Sequence, residues 1–119
     1  MSDNLVAFLR ERLDEDERAA SEAWPVPWSA DAEEYGVVDP GDGTEIADVV
    51  VLSTNQQRAT ARHIARHDPA RVLAEVAAKR RVVELWSHSI GTGGTYTLRA
   101  LALPYREHPD FRPEWACGA

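Results

Sequence analysis

The chain reads HIARHDP at residues 63–69 and runs on into ARVLAEVAAKRR. This junction constrains the fold more than any other segment. Proline lacks an N–H and clashes inside a helix, yet it is well suited to the first helical position. An aspartate directly before it supplies the side-chain oxygen that the exposed N–H groups of a new helix need. Asp68 and Pro69 therefore mark the N-cap and first residue of one helix. His67 closes the helix before it, at the end where an imidazole gains from the C-terminal dipole. His67, Asp68 and Pro69 are read as a structural junction between helices at 54–67 and 69–87.

The segments on either side follow from periodicity. Leu5, Phe8, Leu9 and Leu13 recur at helical spacing, predicting a helix over 4–22 with Ser2 or Asp3 as its cap. Its second half, DEDERAASEA, has only alanine to bury and is expected to run into solvent. WPVPW then stops the helix. YGVVD and TEIADVVVL flank the turn cluster PGDG at 40–43, predicting a β-hairpin within 28–52, with Trp28 able to begin a third strand. Ser53 or Thr54 caps the helix at 54–67. The helix at 69–87 carries Val72, Leu73, Val76, Val83 and Trp86. IGTGGT reads as a loop, 95–104 as a short apolar helix ended by Pro104, and 105–119 as a tail anchored by Phe111 and Trp115. The expected fold is α+β: a small antiparallel hairpin or three-stranded sheet packed with about four α-helices. At 119 residues there is room for one domain, 1–119.

Charge is unevenly distributed. Residues 1–34 carry ten acidic and three basic side chains, and residues 35–53 four acids and no base. Residues 54–88 reverse the sign, with seven bases against three acids. The total of −7 disfavours bulk nucleic-acid binding, and the opposed segments favour internal complementarity. No apolar run approaches the roughly 20 residues that span a bilayer. The start is acidic and makes a poor signal peptide. A single cysteine, Cys117, excludes an intrachain disulfide framework, so a cytoplasmic protein is expected.

Three chemistries can be read from the motifs, each beside a blander account. Arg58, Arg62 and Arg66, at i, i+4 and i+8, form a basic ridge opposite the apolar Ile64, and Arg71, Lys79, Arg80 and Arg81 extend it. The set is a candidate ligand- or phosphate-binding face; the alternatives are a solvated helical face or a partner for the acidic first helix. His63 and His67 have the i, i+4 spacing of a zinc pair, but residue 64 is Ile where the H-E-x-x-H motif needs Glu. His88, His108 and Cys117 are scattered. For catalysis there is less still. GTGG at 91–94 is no phosphate loop, the carboxylates Asp14 to Glu17 lie on a polar helix, and Ser87 beside His88 lacks a third group. No catalytic residue, metal or cofactor is assigned. Trp24, Trp28, Trp86, Trp115, Tyr105 and Phe111 are expected to form the core and its rim, with a subset able to line a ligand pocket or an oligomer interface.

Three blocks, LVAFLRERLDEDE, HIARHDPARVLAEVAAKRRVVEL and TLRALALPYREHPDFRPEW, resemble an uncharacterised family of small proteins common in actinobacteria and their phages, a domain of unknown function. More loosely, the plan is similar to the Ead-like accessory proteins of temperate phages. The resemblance implies no activity. Similar proteins often carry a cysteine-bearing insert where this chain has WSHSIGTGGTY, which counts further against zinc. The leading expectation is a non-enzymatic intracellular binding or interaction protein, phage- or mobile-element-associated, whose partner is another protein or a second copy in a homodimer. A nucleic-acid or nucleotide-phosphate binder using residues 58–81 comes second, and a small metal-dependent enzyme around His63 and His67 third.

Overall fold

The computed structural model describes residues 2–25, 27–31, 37–39, 44–51, 53–88 and 92–116. Among these residues four helices dominate: α1 (Ser2–Glu22, 21 residues), α2 (Thr54–Arg66, 13), α3 (Pro69–Trp86, 18) and α4 (Thr92–Ala102, 11). Short 3-10 turns follow at Leu103–Tyr105 and Pro113–Ala116. No helix among the described residues is long and apolar enough to cross a membrane.

The expected α+β class is wrong. Among the described residues, extended structure shrinks to three fragments, β1 (Ser29–Ala30), β2 (Val37–Asp39) and β3 (Ala47–Asp48). They pair antiparallel over two residues at each seam, Ser29 opposite Asp39 and Val37 opposite Asp48. Fragments this short do not organise a fold that is otherwise helical. The valine run misled because β-branched residues say only that a strand is tolerated; a strand also needs a covered face. Val38 and Val49 are covered, but Val50 is 86% exposed and Val51 40%. The expected PGDG turn lies outside the described residues.

The chain divides into two compact units. The first comprises residues 1–17 and 75–119. Its buried side chains are Leu5, Val6, Phe8, Leu9 and Leu13 of α1, Val76 and Val83 of α3, Leu98 and Ala102 of α4, and Trp115. Phe8 lies at the centre of an aromatic group, its ring 5.0 Å from Trp115, 5.6 Å from His108, 6.0 Å from Phe111 and 6.4 Å from Tyr105. Arg12, one turn on, is buried too, with its guanidinium 5.0 Å from the Phe8 ring centre, 3.0 Å from Glu15 and against the His108 imidazole.

The acidic run of α1 is not a bare solvated face. Arg80 donates to Asp14 at 2.9 Å and to Glu17 at 2.6 Å; Arg12 takes Glu15; and the Tyr105 hydroxyl donates to Asp16 at 2.5 Å. Each carboxylate from 14 to 17 thus has a partner in the same unit. The Asp14 hydrogen bond, with Glu17 nearby, holds Arg80 even more firmly protonated than usual.

Burial, followed by the bond to Asp16, raises the Tyr105 hydroxyl above its ordinary value of 10.0. In the folded protein the phenol stays protonated where the unfolded chain would already lose its proton. Its contribution is therefore complete below about pH 10 and is lost as pH climbs from there toward the raised value. Urea unfolding should show the wild type losing stability between pH 9 and about pH 11 more steeply than Tyr105→Phe. Parallel profiles would contradict the assignment.

α4 begins at Thr92, so the glycines expected in a loop open a helix instead. Gly94 is buried there and Gly93 is exposed. A Cβ at Gly93 would meet nothing within 4 Å. Gly93→Ala should then stabilise by about 0.5–1 kcal/mol, through the lower entropy of the unfolded chain. Thermal melting checks this, and a lower midpoint would contradict it.

Candidate functional site: an arginine-lined cleft on α2

The second unit spans residues 18–74. Ser53 caps α2, accepting from the Gln56 N–H at 3.1 Å. At the other end the His67 N–H donates to the Ile64 carbonyl at 3.1 Å, and the His67 ring Nδ1 lies 2.8 Å from the His63 carbonyl. A carbonyl can only accept, so that nitrogen carries the proton. Asp68 then serves two neighbours. One carboxylate oxygen accepts the Arg71 N–H at 3.0 Å as the cap of α3, and the other accepts the Trp28 N–H at 3.2 Å.

α2 packs on β1 and β2. The small core holds Val38, Val49 and Ala61, with Trp28, Ala30, Ile46, Ala47, Ile64 and Ala65 packed around it. Ala61, not Ile64, is the fully buried position of α2. This moves the ridge. At about 100° per residue, Arg58, Arg62 and Arg66 sit roughly 60°, 100° and 140° around the helix from Ala61. A ridge expected opposite the buried face in fact flanks it.

That flank borders a cleft of about 780 Å³ lined by Trp28, Ala30, Asp31, Arg58, Arg62, Ala65 and Arg66. Arg58 and Asp31 have other contacts in the molecule. Neither Arg62 nor Arg66 makes a hydrogen bond or ion pair among the described residues, and both are exposed. Trp28 is held at two points, since its indole Nε1–H also donates to the Trp24 carbonyl at 3.2 Å. The indole's one donor is thereby used inside the protein, leaving the ring itself to offer.

The other sequence candidates fall elsewhere. Arg80 is committed to Asp14 and Glu17. Arg71 lies in the first turn of α3, with other contacts in the molecule, while Lys79 and Arg81 lie further along the helix. The cleft lining includes none of the four. The His63 and His67 rings lie against one another at a tilt of 43°, their centres 4.5 Å apart. Among the described residues, no group of three or more His, Cys, Asp or Glu side chains gathers as a metal ion would need. Cys117 lies outside the described residues. The Ser87 hydroxyl donates to the Glu84 carbonyl at 3.2 Å. Trp28, Ala30, Asp31 and Ala65 were missed as site residues. The expectation for the tryptophan is the core and its rim, with a pocket role open only to an unspecified subset of the aromatics, and nothing in the spacing of WSAD places it beside residues thirty positions later.

Fold and site together define a small, mostly helical protein with an arginine-lined cleft on one helix. Residues 2–117 match the model of a family of unknown function, DUF6221, and the chain belongs to that family. No curated protein and no solved structure matches it.

Proposed function

We propose that this is a non-enzymatic binding protein that holds an anionic ligand in the α2 cleft. The observation that carries this reading is the pairing state of Arg62 and Arg66. They face the cleft with no carboxylate partner among the described residues, within a unit that has acids to spare. Residues 18–74 contain nine Asp and Glu against five arginines, yet three of the five converge on one cleft. Guanidinium groups placed side by side repel one another, and an anion relieves that repulsion while accepting charge-assisted hydrogen bonds. The lining is therefore suited to holding a charged molecule.

Tripolyphosphate provides a test free of any ring or sugar. At low salt it should raise the melting temperature of the wild type, by mass action on the folded state. The effect should shrink as salt is added. Arg62→Glu with Arg66→Glu should abolish it while the unliganded protein still melts cooperatively, since both side chains are exposed. A wild type that melts at the same temperature with and without tripolyphosphate, inorganic phosphate and an acidic peptide would overturn the proposal.

A further inference from the structure

The cleft is chemically lopsided, and this asymmetry narrows the class of ligand. One wall is the α2 arginines. The other is Trp28 and Ala30, followed in the chain by Asp31. The guanidiniums without a partner among the described residues, Arg62 and Arg66, both lie on the α2 side, so the ligand's negative charge gathers there. Trp28 has no hydrogen bond left to give from its indole and is fixed at both its backbone N–H and its Nε1–H. What it presents is a positioned aromatic surface, which recognises a flat, apolar or π-rich group. Ala30 and Ala65 beside it are small, and larger side chains there would fill the space next to the ring. A volume of about 780 Å³ falls within the range of roughly 300–1,000 Å³ that holds small organic ligands.

Resting on the reading of the cleft as an anion site, we infer that its ligand is a free nucleoside phosphate, with the base against Trp28 and the phosphates on Arg62 and Arg66. The two unpaired guanidiniums of Arg62 and Arg66 can take the charge of a phosphate chain, and arginine also stacks on bases. Alternatives of uniform charge fit less well. An acidic peptide leaves Trp28 without a planar partner. A longer nucleic-acid strand would extend past the arginines onto a unit in which carboxylates outnumber bases nine to five.

Calorimetric titration at low salt decides this, with ATP, GTP, CTP and UTP each compared with tripolyphosphate and with a twelve-residue single-stranded oligonucleotide. At least one nucleoside triphosphate should bind about tenfold or more tightly than tripolyphosphate, the increment expected from stacking one base on an aromatic ring. Trp28→Leu should erase that advantage and leave tripolyphosphate binding in place, whereas Trp28→Phe should retain most of it. Should Trp28→Leu fail to fold by circular dichroism, the wild-type ratio decides alone. Equal affinity for tripolyphosphate and every nucleotide would overturn the inference and leave the anion site standing. An oligonucleotide that binds more tightly than any mononucleotide would overturn it in favour of a strand. No binding of any anion would overturn both.

Discussion

Replacing Phe8 by alanine should cost about 3–5 kcal/mol of folding stability, the range for removing a buried aromatic side chain. Phe8 is 4% exposed and contacts four aromatic or imidazole rings within 6.4 Å, besides the guanidinium of Arg12. Two losses coincide. The ring's own burial disappears, and two of the four surrounding rings are held back from the space, Tyr105 by Asp16 and His108 by Arg12 and the Asp110 N–H. Arg12 also loses the face over which its charge sits, in a site where its Nε already lacks a partner among the described residues. Since small domains are stable by only about 5–15 kcal/mol, the midpoint of urea unfolding should fall steeply with little change in slope. A loss below about 1 kcal/mol would mean that the aromatic group is not the core of that unit.

Asp68→Ala should cost about 2–3 kcal/mol, more than a typical cap. The cap itself accounts for about 1–2 kcal/mol. The remainder comes from the Trp28 N–H, which loses its acceptor while half-buried. The second effect reaches the cleft, because the backbone at Trp28 is released. Asp68→Asn separates the two: its single side-chain oxygen can keep the α3 cap or accept from Trp28, but not both. Chemical denaturation should therefore rank the asparagine variant between wild type and alanine. Equal stability of Asp68→Ala and wild type would contradict the dual role.

The helical part of this architecture was readable because its signals are local. Asp68–Pro69 and Ser53 announce their helix starts, and the Leu5–Leu13 spacing announces the buried stripe of α1. The sheet was over-read because strand formation depends on what lies on the far side of the chain, and Val50 is left 86% exposed. The site was half readable. The arginine spacing was visible, but its direction depended on whether Ala61 or Ile64 is innermost. A sequence cannot choose between a small buried residue and a large half-buried one without the surface they meet. Trp28 and Asp31 come from a segment with no periodicity, brought to α2 by pairings of two residues. The acidic run of α1 was similarly underrated, since Arg80 and Tyr105 lie more than sixty residues away in the chain.

On the proposed reading, the flank of α2 binds an anion at Arg62 and Arg66. Nuclear magnetic resonance of the backbone amides during a tripolyphosphate titration tests it residue by residue. Saturating shifts should appear at residues 28–31 and 58–66 and vanish in the double charge reversal of Arg62 and Arg66. Saturating shifts confined to other segments, such as the Lys79–Arg81 stretch of α3, or none at low salt, would contradict it.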